Sequence, residues 1–225
     1  MTATFGSLQT KISKKLIDAN NTAIAASDVQ DALNDALHYW KFKRFWFNEA
    51  QTTLTMDIND PFVLGFGNTN SSYPNAPVLP SNFLYEFPKD GFVIQYSKLS
   101  YRFRKLSPDQ YDDTNIQGIG IPYVYTFRNG NYEFYFYPNL NYLLTVNYIM
   151  DIADMVNSTD TNVFTKYADR LIMYEALGHL YGENRQDLES EAPYAAKADR
   201  EYRLLKTRGG QQVTTGRMEV DSILG

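Results

Sequence analysis

Apolar positions at the start of the chain recur in helical steps. Leu8, Ile12 and Leu16 lie four residues apart and predict a first helix over residues 5–17. A second helix follows, in which Val29, Leu33, Ala36, Leu37 and Trp40 share one narrow face while His38 points away from it. Ser27 followed by Gln30 has the form of a capping box, which sets the start of that helix. Its end is expected near Arg44, where Phe45, Trp46 and Phe47 lead into a change of period.

From Ala50 the alternation is two-fold. Ala50, Thr52, Leu54, Met56 and Ile58 would line one face of a strand. Residues 59–82 are rich in Asn, Ser, Pro and Gly and carry neither period, so they read as a long loop, of the kind that usually has a partner or a job. Short strands are expected at 83–87, 91–96 and 99–105, then a capped helical turn at 107–113 with Pro108 in its first turn. The sharpest local signal is Asn129-Gly130, the preferred two-residue hairpin turn, because both positions need positive φ. Folding there pairs Phe127 with Tyr132, Tyr125 with Phe134 and Tyr123 with Phe136 on one packed face. Thr126 opposite Glu133 and Arg128 opposite Asn131 would lie on a wet one. A third strand, with Tyr142, Leu144, Val146, Tyr148 and Met150 on a common face, would complete an antiparallel meander.

Helical period returns over 164–181, where Leu171, Ile172, Met173, Ala176, Leu177 and Leu180 occupy nearly all sides of the wheel, as in a helix buried by several neighbours. Residues 187–205 form a milder amphipathic helix with Ala195, Ala198, Tyr202 and Leu205 on its apolar side, and Gly209-Gly210 is expected to stop it. Beyond, Val213, Met218, Val220, Ile223 and Leu224 are scattered without period and are the candidate partner-binding residues of an extended arm. The fold class expected is α+β: a helical bundle from both chain ends packed with an inserted antiparallel β-sheet or sandwich, plus the extended C-terminal arm. The boundaries are 1–48 for the N-terminal helices, 49–158 for the β region, 159–208 for the C-terminal helices and 209–225 for the arm.

At 225 residues, 44% hydrophobic and 21% charged, the composition is that of a soluble globular protein. The 18 Tyr and 14 Phe stand out, since tyrosine suits surfaces that are wet before assembly and covered after it. A net charge of −5 with no basic arm argues against a dedicated duplex-binding surface. The absence of cysteine removes disulfides, thiolate metal sites and a cysteine nucleophile. No apolar run approaches a membrane span, the N-terminal residues lack the core of a signal peptide, and the sequons at Asn20, Asn70 and Asn157 read as chance.

Catalytic chemistry is sparse. Glu175 and His179 are spaced to share a helix face, but an ordinary surface pair explains them, and solvation explains His38. Asp112 with Asp113, or Asp151 with Asp154, could supply an acid and a base for glycan cleavage, against a bland reading as turn residues. Gly65-x-Gly67 lacks the rest of a dinucleotide fingerprint. Lys197, Arg200, Arg203, Lys206 and Arg208 alternate with Asp199 and Glu201, the pattern of a solvated face. No catalytic, cofactor-binding or metal-binding residue is assigned.

The order of features from about Ile12 to Leu205 carries a resemblance. A helix ending in Trp40 is followed by an irregular loop, Leu79-Pro80-Ser81-Asn82-Phe83, Leu106-Ser107-Pro108, Ile121-Pro122, the Tyr-rich hairpin closed by Tyr137-Pro138, and two helices. This resembles the head–tail adaptor (connector) proteins of short-tailed bacteriophages. The resemblance implies a non-enzymatic virion protein at the head–tail junction, made in the host cytoplasm. It implies a homo-oligomeric, twelve-fold ring that joins the portal protein to the tail nozzle, with DNA passing through unbound and no membrane involved. A carbohydrate- or receptor-binding β module of a tail, and then a glycan-cleaving enzyme, are the alternatives.

Overall fold

The computed structural model describes residues 2–20, 24–57, 63–65, 78–97, 99–113, 118–184 and 187–223. In chain order the elements begin with α1 (Phe5–Asn20), α2 (Ala26–Lys41), β1 (Glu49–Met56), β2 (Val63–Gly65), β3 (Phe83–Glu86), β4 (Phe92–Tyr96), β5 (Leu99–Arg102) and β6 (Arg104–Lys105). They continue with α3 (Pro108–Asp113), β7 (Ile119–Gly120), β8 (Val124–Arg128), β9 (Asn131–Tyr135), β10 (Tyr137–Pro138) and β11 (Tyr142–Met150). The last are α4 (Val163–Tyr167), α5 (Asp169–His179), a π-helical turn (Leu180–Asn184) and α6 (Leu188–Ile223). The class is α+β, divided into two compact units: Met1–Asn48 with Ile152–Gly225, and Glu49–Asp151.

In the helical unit the apolar stripes do what their spacing predicts. Phe5, Leu8, Ile12 and Leu16 of α1 and Val29, Leu33, Ala36, Leu37 and Trp40 of α2 are all buried. α5 buries Leu171, Ile172, Met173, Ala176 and Leu177, and packs against both α2 and α6. The expected single helix over 164–181 is broken at Ala168, whose φ of −136° and ψ of 30° separate α4 from α5. α4 has its own start signal, a reciprocal pair of bonds between Asn162 and Thr165. The box read at Ser27 does not form. Ala25 is the N-cap, its carbonyl accepts from Asp28 and Val29, and the Ser27 hydroxyl lies inside the first turn beside Asp28. Fully buried Asn48 ties down the chain after α2, accepting from the Phe45 amide at 2.8 Å and donating to the Lys43 carbonyl at 2.9 Å.

The β unit ends at Asp151 rather than at 158, because the following segment is held by helices. The Asn34 side chain brackets Met155, donating to its carbonyl and accepting from its amide, and Gly6 donates to the Ser158 carbonyl. The greatest departure lies in α6. Its backbone stays helical through Gly209-Gly210 to Ile223, so the extended arm over 209–225 is overturned. A glycine costs about 1 kcal/mol against alanine inside a helix, which weakens the helix without ending it. Gly209 lies close to Trp46: a Cβ at this position would sit 3.1 Å from the ring, a tight contact.

The β unit is two sheets around one core. The first has the order β1-β11-β4-β5, with β3 also paired to β11; the second runs β2-β9-β8-β6, and β7 and β10 form a separate short parallel ladder. Met56, Phe92, Ile94, Leu144 and Val146 of the first sheet meet Tyr125, Tyr132 and Phe134 of the second in one buried cluster. The meander is therefore overturned. β11 follows the hairpin in sequence but pairs with β1, β3 and β4. Its apolar face thus opposes the aromatic face of the hairpin across the interior, which buries both faces, as a single flat sheet does not. β2 falls inside the stretch read as structureless, three residues being too few to show a period, while Ile58 lies outside the described residues.

The hairpin forms in the expected register, with Asn129 and Gly130 at φ 51° and 75°. Its ladder stops at Val124 opposite Tyr135. The Tyr123 and Phe136 rings stack at 5.1 Å beyond it, with Phe136 at φ 68°. The face expected to be wet is half covered. Thr126 is fully buried and donates to the Leu106 carbonyl, and Val124 packs with Leu106, Tyr111 and Tyr135 in a small second core. α3, started by reciprocal Ser107 and Gln110 bonds, supplies that cover.

Candidate interaction surfaces

Four of the five candidate residues of the C-terminus lie in a helical frame. Val213, Met218, Val220 and Ile223 are positions of α6, and Leu224 lies outside the described residues. The basic set on α6 is less uniform than a solvated face. Lys206 Nζ donates to the Arg44 carbonyl at 2.7 Å and lies over the Tyr202 and Phe45 rings, and Lys197 lies over Tyr194 at 4.6 Å. Ala198, Tyr202 and Leu205 turn inward, whereas Ala195 is exposed. Arg200 and Arg203 point outward with half-exposed Leu204, and with Ala196, Asp199 and Thr207 they line a shallow groove of about 330 Å³.

Elsewhere in the helical unit, carboxylates lie on α2, α5 and the π-helical turn, which pack together. Glu175 receives the Trp40 indole N–H at 3.2 Å and pairs with His179 at 3.4 Å, four residues on. His179 holds its proton more tightly than a free imidazole. The bond to Glu175 is the main cause, opposed by burial and reinforced by the charges of Glu175, Glu183 and Asp35. A proton affinity raised on folding stabilises the fold below the ordinary histidine range near pH 6.5, and that contribution fades as pH rises through the folded-state value. His179→Gln is expected to lower Tm by about 1–3 °C near pH 5.5 and by less near pH 8.5. Scanning calorimetry at the two pH values checks this, and an equal loss at both would refute it.

His38 is not merely solvated. Its Nε2 meets Asp154 Oδ1, joining α2 to the segment that Asn34 also holds. Asp112 faces Arg128 at 3.0 Å, and Arg128 also reaches Glu133 at 2.9 Å. Asp151 and Asp154 belong to different units, and Gly67 lies outside the described residues. Among the described residues no three His, Cys, Asp or Glu side chains are grouped to hold a metal ion, and no helix is long and apolar enough to cross a membrane.

Two features escaped the sequence reading. Glu86 has a side chain only 8% exposed, and its carboxylate accepts from the Tyr132 and Tyr125 hydroxyls and from Lys105 Nζ at 2.6 Å. Burial, with this carboxylate beside them, drives both phenol proton affinities upward. No local signal marks Glu86, because its partners come from β6, β8 and β9. The second feature is a neutral patch at the β7–β10 ladder, where exposed Ile119 is paired with Tyr137 and the stacked Tyr123 and Phe136 adjoin it. The tyrosine excess hinted at such surfaces without locating one.

The model of the SU10 adaptor protein family matches residues 3–221. No curated protein matches the chain. The protein is thus a bacteriophage head–tail adaptor: a virion component of structural class that interacts with other phage structural proteins. In particular, it belongs to the SU10 adaptor protein family.

Proposed function

We propose that this adaptor forms a homo-oligomeric ring of about twelve copies, as its family resemblance implies, between the capsid portal and the tail nozzle. The ring is assembled from subunits made in the host cytoplasm and leaves a passage for DNA. The observation that carries this reading is the family match over residues 3–221. In the ring the helical unit forms the packed body, and the β unit faces the nozzle. A net charge of −5 supports a conduit, because a lumen that neutralised phosphates would retain the DNA it must release. Val213, Met218, Val220, Ile223 and Leu224 contact a neighbouring subunit or the portal. The span from Val213 to Ile223 is about 15 Å of helix, enough to cross one helix of a partner.

Negative-stain microscopy of the full chain, alone and with its cognate portal, is expected to show rings. A strict monomer that ignores portal would sink the ring reading. Deleting residues 211–225 is expected to weaken ring or portal assembly at least ten-fold while the thermal melt of the remaining chain is kept. Undiminished assembly after the deletion would remove the C-terminal residues from the interface and leave the ring reading standing.

A further inference from the structure

The outer face of α6 has no packing partner among the described residues, and its chemistry is mixed. Arg200 and Arg203 flank exposed Leu204 and Ala196 in the groove, with Asp199 held by Arg203 at 2.7 Å. Of the five cations in residues 197–208, Lys197 and Lys206 lie over aromatic rings, which leaves Arg200, Arg203 and Arg208 against Asp199 and Glu201 in a chain that is acidic as a whole. A phosphate backbone is a poor occupant, because Asp199 sits among the arginines and the apolar side chains at the groove would gain nothing from it. A protein surface with carboxylates and small apolar contacts suits the groove better.

Such a surface exists on the same unit. Asp31 and Asp35 are exposed one turn apart on α2, and exposed Glu183 lies on the π-helical turn. Glu175, which pairs with His179 at 3.4 Å and accepts from Trp40 of α2, lies beside them, because α2 packs against both α5 and the π-helical turn. One copy thus presents arginines on α6 and exposed carboxylates on α2 and the π-helical turn. Two different, complementary patches on one subunit make a head-to-tail contact, and head-to-tail contacts generate a ring when the rotation between subunits closes.

We propose that the outer face of α6, centred on Arg200, Arg203 and Leu204, docks against the carboxylate face around Asp35 and Glu183 of a second copy of this chain. The proposal rests on the ring reading above and names the contact that builds the ring. It places the subunit interface on the helical unit and makes assembly sensitive to ionic strength.

Charge reversal of the full chain tests it. Arg200→Glu with Arg203→Glu leaves a subunit with two acidic faces, and Asp35→Lys with Glu183→Lys leaves one with two basic faces. Each variant alone is expected to raise the protein concentration for half-assembly at least ten-fold by mass photometry. An equimolar mixture of the two, or one chain carrying all four changes, should return it to within about three-fold of the unmodified protein. All four positions are exposed, so circular dichroism melts near pH 8.5, where the His179 contribution has faded, should shift by only a few degrees. If a reversed chain melts early, the neutral pair Arg200→Gln with Arg203→Gln is expected to weaken assembly about three-fold on its own. Single-face variants that form rings as readily as the unmodified chain would overturn the interface and leave the ring intact. A mixture that fails to recover would do the same. Loss of duplex-DNA binding with unchanged assembly would overturn it in favour of a nucleic-acid contact. Absence of rings in the unmodified chain, with and without portal, would overturn both readings.

Discussion

Phe92→Ala is expected to destabilise the β unit by about 3–5 kcal/mol. Phe92 is 1% exposed and sits where the two sheets meet. Three rings of the second sheet, Tyr125, Tyr132 and Phe134, present edges to it at 4.8, 5.1 and 5.1 Å. Its strand position opposite Val146 holds it against β11, and its carbonyl accepts from the Phe103 amide. The cage cannot collapse into the vacated space without moving the hairpin, so the cavity penalty adds to the lost transfer energy. Urea unfolding followed by tyrosine fluorescence measures the change. A loss below about 1 kcal/mol would mean that the two sheets do not depend on this ring.

Glu86→Ala is expected to cost about 2–3 kcal/mol, more than Tyr132→Phe and much more than Lys105→Ala. The ranking follows from exposure. Glu86 is enclosed, and removing its carboxylate strands the Tyr125 and Tyr132 hydroxyls in the core. Lys105 is 53% exposed on its side chain, so water replaces its partner at little cost. Tyr132→Phe removes one donor and leaves the carboxylate its bonds to Tyr125 and Lys105. Chemical denaturation of the three variants checks the order, and a Lys105→Ala loss exceeding that of Glu86→Ala would refute it. Because Tyr125 and Tyr132 touch both Phe92 and Glu86, the double variant of Phe92 and Glu86 should fall short of the sum of the singles.

Recognition of the class came from the order of weak motifs along the chain, from the Trp40 helix through Leu79-Pro80 and the Tyr-rich hairpin to the last two helices. None of these has a chemistry that singles out an adaptor, and each is a local packing or turn requirement. The surfaces that would act in assembly were the least legible part. The basic set on α6 was visible as composition, but its division into residues folded over aromatic rings and residues facing outward needs Tyr194, Tyr202 and Phe45 in place. The carboxylate face was hidden altogether, since Asp35 lies well over a hundred residues before Glu175 and Glu183, and its helix reaches theirs only through packing.

What local chemistry specifies was present in the chain itself. The stripes of α1 and α2, the α3 cap at Ser107 and Gln110, and the hairpin register at Asn129-Gly130 each depend on residues within a few positions of one another. Their contacts are made by one element or one turn, so spacing and φ preference suffice. Long-range packing decided the rest. It sent β11 to β1, β3 and β4 instead of to the hairpin beside it, and enclosed Glu86 among two tyrosines and a lysine. In each case the partner is remote in sequence, and the free energy of burying both surfaces together outweighs the local preference.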